Sequence, residues 1–405
     1  MGEVLIFNHA RVITNITIEQ QPTSDFPTRN KIMVLDFCVS YEIESTWQDL
    51  TQTAKLVLPK NIIIRSPDGK IVSGNRSSVD SNIGGFSNPI PLFLRGDKIT
   101  ISGGYKYFNL QGKEVSDVNV LFEGFISKVT SKKPFMLECE DNMWLLKQIP
   151  TPVKQWGKSQ TLRQILEYML SGTDLTVSSK SEINVTYNIK STMSHGESVA
   201  QFLEENKKGG FHFDSRFRGK ELRIGYPTYF VDEAAEHKFI FQKNVIEDNL
   251  EYQRRDDINL SAVVQNYVIQ ETGKTNKDGT AKTKKKRIEV LVTFEKGKEK
   301  SYIKKTNEPL PPNVGGERRQ FFFESATNEQ ELIKFGFEQL KKYYYTGFRG
   351  TFTTFGIPYV KYGDIVILED NILPERNGRY FVKKVEYAGG TEGNRQKITL
   401  DYLIL

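Results

Sequence analysis

Little in this 405-residue sequence offers catalytic chemistry. Its two cysteines, Cys38 and Cys139, and its four histidines, His9, His195, His212 and His237, are too few and too scattered for a zinc site or a disulfide framework. Both cysteines sit in alternating apolar segments, where a buried free thiol is the expected state. No apolar run approaches the roughly 20 residues that cross a bilayer, so no membrane insertion is expected. The start lacks a basic stretch followed by an apolar core and a small-residue cleavage site, which points to folding in a cytoplasm. Gly-x-Ser-x-Gly, Gly-x-x-x-x-Gly-Lys-Ser/Thr and His-Glu-x-x-His are all missing, which removes the usual hydrolase, nucleotide-binding and metalloprotease signatures. Net charge is small as well: 56 basic against 50 acidic residues leave +6, too thin an excess to argue for nucleic acid by itself.

What the sequence does have is strand grammar. The last fifty-five residues alternate apolar and polar side chains with glycine at the reversals, the signal of half-buried antiparallel strands. Thr351–Pro358 leads into Val360–Leu368 through Gly363-Asp364, and Gly378–Val385 pairs with Arg395–Tyr402 across Gly389-Gly390. The same order of features occurs earlier, with Gly96-Asp97 before Ile99-Thr-Ile101, then Val120–Val129 and Phe135–Cys139. Two copies of one small β unit are expected, with Gly96, Asp97, Gly363 and Asp364 as their shared turn signature.

The chain divides accordingly. Residues 1–155 read as a first β-barrel domain, with a polar, turn-rich loop excursion over 65–91. Residues 156–230 change to helical period and read as a small α+β middle domain. Ser159 is the expected cap of a helix with Leu162, Ile165, Leu166, Met169 and Leu170 on one face, and Ser194 with Glu197 the capping box of a second helix carrying Val199, Phe202 and Leu203. Residues 231–405 read as a second β-barrel domain interrupted by one amphipathic helix over 328–345, capped by Thr327 and Gln330, and by a basic loop over 271–287. The expected class is mainly β with α+β: two antiparallel barrels and a middle domain.

Two constellations hold charge. Glu138, Glu140 and Asp141 could be paired carboxylates for a cell-wall hydrolase, but Glu138 and Glu140 lie two apart on one strand face and Asp141 stands where a helix cap belongs. No catalytic residue, metal ligand or cofactor is therefore expected. The basic loop, with Lys274, Lys277, Lys282, Lys284, Lys285, Lys286 and Arg287, could meet phosphates as a nucleic-acid-binding module, yet no aromatic side chains are interleaved for base stacking. Together with Gly69–Pro91 it is instead a candidate partner-contact segment.

Against that background the run Phe348-Arg-Gly350-Thr-Phe-Thr-Thr354-Phe-Gly356-Ile-Pro358-Tyr-Val-Lys-Tyr-Gly363-Asp364, with Pro374-Glu-Arg-Asn-Gly378-Arg-Tyr380-Phe-Val after it, resembles the baseplate hub proteins of contractile phage tails, the late control protein D family. Arg218-Gly219-Lys220-Glu-Leu222-Arg-Ile-Gly225 and Gln242-Lys-Asn244-Val-Ile-Glu-Asp-Asn-Leu250 are similar too, and the likeness extends to the hub part of type VI secretion spike proteins. The resemblance implies two tail-tube-like β-barrels and a homotrimeric ring that adapts a sixfold tail tube to a threefold spike, with tail tube and spike proteins as partners. DNA or effector would pass the lumen without specific binding. The location implied is a virion tail baseplate or an assembled injection particle, and the role is structural, not enzymatic.

Overall fold

The computed structural model describes residues 10–59, 62–65, 71–74, 91–108, 111–130, 135–152, 161–179, 198–208, 214–225, 234–275, 281–306, 308–312, 314–323 and 326–404. Its first third is all strand: β1 (Arg11–Glu19), β2 (Ile32–Leu35), β3 (Ser40–Thr46), β4 (Thr53–Leu58), β5 (Ile62–Arg65), β6 (Ile71–Gly74), β7 (Lys98–Phe108), β8 (Glu114–Thr130) and β9 (Phe135–Asp141). The alternation read in the sequence decides their faces. Ile16 and Ile18, Tyr41 and Ile43, and Ala54 and Leu56 point into one core, while Glu42, Glu44 and Lys55 between them stay in solvent.

A middle unit follows, made of α1 (Met143–Gln148), α2 (Leu162–Met169), β10 (Thr176–Val177), α3 (Val199–Lys208), β11 (Asp214–Arg218) and β12 (Glu221–Gly225). The last part contains β13 (Glu236–Ile240), β14 (Val245–Gln253), β15 (Leu260–Thr275), β16 (Ala281–Glu295), β17 (Lys298–Ile303), β18 (Glu317–Phe322), α4 (Glu329–Tyr343), β19 (Gly347–Phe355), β20 (Ile365–Glu369), β21 (Gly378–Gly390) and β22 (Arg395–Leu403).

Six strands at either end repeat one connectivity. The neighbours run β3-β4-β9-β8-β7-β1 in the first unit and β14-β19-β22-β21-β20-β13 in the second, so the strands correspond one to one in chain order as well as in space. One irregularity recurs: the register shifts between Ile126 and Lys128 against β9, and between Val382 and Lys384 against β22. The units also differ: the register shifts at Ile101–Ser102 between β7 and β8, at Val245–Glu247 between β14 and β19, and at Tyr380–Val382 between β21 and β22 have no counterpart. β1 lies antiparallel to β7 whereas β13 lies parallel to β20, and β2 adds a further strand beyond β1. Each unit packs one face of its strands into a shared core.

The two units are not separate bodies. Lys384–Gly390 of β21 pairs with Thr46–Ser40 of β3, which merges both into one 13-stranded sheet. A single core contains Ile43, Leu56 and Leu137 of the first unit with Phe352, Val385 and Ile398 of the second. Sequence alternation fixes which face of a strand is buried but is silent on which strand lies beside it, so this seam could not be read there.

The other units differ in several places from expectation. The expected limit between residues 155 and 156 falls outside the described residues, and α1 on its N-terminal side contributes Met143 and Leu146, with Leu50, to the core of the middle unit. That core takes in the anticipated stripe Leu162, Ile165, Leu166, Met169 and Leu170, and also Val199, Phe202 and Leu203. Ser159, Ser194 and Glu197 lie outside the described residues. The first of these helices is capped by Thr161, whose hydroxyl accepts from Gln164 N while the Gln164 side chain bonds back to Thr161 N.

Residues 260–322 form no part of the second barrel. β17-β16-β15-β18 is an independent four-stranded sheet, and α4 covers it with Leu332, Phe337 and Leu340 in a core of its own. The helix ends earlier than expected, at Tyr343, and its cap is Asn328 in place of Thr327. Asn328 Oδ1 accepts from Glu331 N at 3.0 Å, and Glu331 reaches back to Thr327 N at 2.7 Å, so the box closes one residue along from the Thr327–Gln330 pair. Most of the basic segment is strand and not loop. β15 runs to Thr275 and β16 starts at Ala281, because Ile269 to Glu271 find partners in Lys285 to Thr283, and only 276–280 between them lie outside the described residues. At the start of the excursion over 65–91, β6 pairs back with β5, which precedes it, with partners running from Ile62 with Gly74 to Arg65 with Ile71.

Candidate assembly site

The residues singled out as a turn signature occupy equivalent places. Gly96 and Gly363 have φ of +94° and +85°, which only glycine adopts without strain. At the first turn Leu94 N donates to Asp97 Oδ2 at 2.8 Å and Asp97 N to Leu94 O at 3.2 Å; at the second, Lys361 N donates to Asp364 Oδ2 at 2.8 Å and Asp364 N to Lys361 O at 3.1 Å. Gly96 N and Asp97 O are tied to Ile126, as Gly363 N and Asp364 O are tied to Val382. The remaining carboxylate oxygen takes a backbone N–H from the neighbouring strand segment, Gln21 at 3.0 Å in one case and Ala235 at 3.2 Å in the other. A basic side chain completes each site. Arg29 grips Asp97 with two bonds of 2.8 and 2.6 Å, both side chains fully buried, whereas His237 Nε2 lies 3.0 Å from Asp364 Oδ2 in a site 15% and 12% exposed. The aspartates therefore pin a strand reversal to its neighbour.

The seam between the units has its own polar lock. Lys384 Nζ lies 2.6 Å from Glu44 across it and 3.2 Å from Glu386. Thr46 donates its hydroxyl proton to Lys383 O at 3.2 Å, and buried Tyr41 donates to Asn394 Oδ1 at 2.8 Å, with Asn394 Nδ2 in turn bonded to Gly104 O at 3.0 Å. Gly389 and Gly390, expected at the hairpin reversal, are instead the last residues of β21 opposite Tyr41 and Ser40, and the reversal falls at Thr391–Asn394. A Cβ on Gly389 would stand 2.3 Å from the Tyr41 ring and hydroxyl, so the glycine is required by close approach and not by the turn.

Where the two barrel units meet the middle unit, a cleft of about 750 Å³ is lined by Gln52, Glu123, Asp141, Arg216, Lys361 and Asp364, among others. Gln52 Nε2 donates to Tyr362 OH at 3.0 Å, and the Arg216 guanidinium stacks 4.7 Å above the Tyr362 ring. Asp141, expected as a helix cap, is instead the last residue of β9 and accepts from Met143 N at 3.1 Å, while Asn142 is the N-cap of α1 without a side-chain bond; burial pushes the Asp141 carboxyl up to about 7. The other members of the acidic cluster are in ion pairs on the solvent face, Glu138 with Lys128 at 3.1 Å and Glu140 with Lys147 at 2.5 Å. Among the described residues no group of three His, Cys, Asp or Glu is placed to hold a metal. His9, His195 and His212 lie outside them.

The basic residues stand apart from this region, on the β15–β16 ribbon. Lys284 and Lys286 are exposed strand residues, and Arg287 is held by Glu289 at 3.1 Å. Lys277 lies outside the described residues; Lys274, Lys282 and Lys285 belong to the paired strands. The structure brings the two Gly-Asp turns into equivalent settings but leaves the basic ribbon remote in sequence and in sheet. Lys384 and Glu44, the pair that locks the seam, carried no local signal, because they are 340 residues apart in a pattern that any solvent-facing strand shows.

No protein-family description matches the sequence, and no curated protein matches it. Solved structures do. The fold is similar to that of the tail protein from Neisseria meningitidis MC58, at 12% identity over 96% of this chain and 96% of that one, with a TM-score of 0.51. It is also similar to a chain of the lidded Francisella PdpA-VgrG complex, at 10% identity and a TM-score of 0.51, where 97% of this chain corresponds to 53% of the other.

Proposed function

We propose that this chain, whose fold is shared with a tail protein and with the PdpA-VgrG complex, is the structural hub of a contractile tail baseplate or related injection machine. Three copies form a ring that meets a sixfold tail tube on one side and a threefold spike on the other, within a virion tail or an assembled injection particle. The observation that carries this reading is the repeated six-strand unit, with equal strand order, an equal bulge and equal hydrogen bonds at Gly96-Asp97 and Gly363-Asp364. A chain with two quasi-equivalent units offers six similar surfaces when three copies close, which is what a change of symmetry from six to three needs. The role is that of a scaffold and not of an enzyme: Glu138 and Glu140 are in ion pairs on the solvent face, and Asp141 is bonded to Met143 N where β9 leads into α1. Tube and spike proteins are its partners, with the β15–β16 ribbon a contact for one of them.

Native mass spectrometry over a range of concentrations, alone and with the tube and spike proteins, tests the proposal. Trimers, or trimers recruited by either partner, are the expected result. A chain that stays monomeric in every mixture rules the hub role out.

A further inference from the structure

The seam inside one chain has an unfilled counterpart on its surface. In the second unit, β21 gives one edge to β22, and past Val382 its other edge leaves β20 and takes up β3 of the first unit. In the first unit the corresponding strand, β8, gives one edge to β9, and past Ile126 its other edge leaves β7 and has no strand beside it among the described residues. The counterpart of β3 in the second unit is β14, which ends the sheet with an outer edge that pairs with no strand among the described residues. One seam is thus satisfied within the chain, and the two halves of an equivalent seam are left open at separate places.

The register follows from the matched bulges. Ile126 with Cys139 corresponds to Val382 with Leu400, so Lys128 stands for Lys384 and Thr130 for Glu386. Counting across the next two strands, Lys55 and Glu42 correspond to Thr351 and Asn249, so Glu44 corresponds to Glu251 and Thr46 to Gln253. The residues that lock the inner seam, Lys384 and Glu44, therefore recur as the same two residue types, Lys128 and Glu251, on the two open edges. Both are exposed. At the position of Thr46, whose hydroxyl bonds across the inner seam, Gln253 has a buried Oε1 without a hydrogen-bond partner among the described residues, a group that calls for a partner.

We infer that β8 of one copy pairs antiparallel with β14 of a second copy, with Lys128 opposite Gln253 and Thr130 opposite Glu251, so that Lys128 reaches the second copy's Glu251 as Lys384 reaches Glu44. This rests on the ring assembly proposed above and names the surface that makes it. The contact is head-to-tail, uses different edges on the two copies and leaves neither of these two edges open once the ring closes.

Two measurements test the register. Thr130→Cys together with Glu251→Cys should give disulfide-linked oligomers on oxidation, ending at the ring size, whereas Thr130→Cys with Asn249→Cys, two residues out of register, should not. The native thiols give little background, since Cys38 and Cys139 are buried and burial raises Cys38 to about 11. Independently, Lys128→Glu and Glu251→Lys should each weaken association about tenfold, and the double reversal should regain most of it. A trimer that neither crosslinks at this pair nor responds to the charge swap overturns the register but leaves the hub; a chain that never associates overturns both.

Discussion

At the scale of single residues, the two Gly-Asp turns have one geometry and two energetic settings. The Arg29–Asp97 pair is fully buried, so removing one partner strands a charge away from water; Arg29→Ala should lower stability by about 3–5 kcal/mol, read as the shift in a denaturant midpoint. His237 and Asp364 keep some solvent contact, and His237→Ala should cost only about 1 kcal/mol in the same assay. Asp141 gives a pH signature. Its folded carboxyl titrates near 7, above the ordinary value near 4 of the unfolded chain, so stability is greatest below that lower value and falls as pH rises through 7. Asp141→Asn removes the cost of ionisation while keeping an oxygen for Met143 N–H. The variant should match the parent at pH 4 and exceed it by about 1–2 kcal/mol at pH 8, as thermal melts at the two pH values would reveal.

Among secondary-structure elements, the seam between β21 and β3 is the most exacting. Gly389→Ala would drive a methyl group into the Tyr41 ring, which is pinned by Asn394 and cannot rotate away. The expected loss is about 2–3 kcal/mol, seen as a lower denaturation midpoint, whereas Gly112→Ala, with open space around its Cβ, should cost about 1 kcal/mol from its positive φ alone. Helices are legible in the sequence from their apolar stripes, as at Leu162–Met169, but their caps are not: Thr161 caps the helix for which Ser159 is expected, and Asn328 the one for which Thr327 is expected. The basic segment reads as a loop but folds as strand, because lysines favour neither when the partner strand decides, and here Leu260–Thr275 supplies that partner.

Across the whole molecule, a shared core joins ends of the chain that are far apart in sequence. Amides of β3 and β21 should exchange hydrogen for deuterium together, at the rate of the slowest opening, because neither strand can leave without exposing the core of both units. The four-stranded sheet under α4 has a separate core and should open in an earlier step, which hydrogen exchange with mass spectrometry would resolve. Coincident exchange of all three regions would contradict this division.

The sequence alone determined the mainly-β class, the buried face of most strands, the helical stripes and the two Gly-Asp turns, because these depend on periodicities and glycine conformations spanning a few residues. The tertiary structure alone decided that the two units share one sheet, that Gly389 makes room for Tyr41, and that Lys128 and Glu251 sit where Lys384 and Glu44 sit. Those facts depend on which strands become neighbours. That choice is made by packing between residues hundreds of positions apart, on which a local pattern has no purchase.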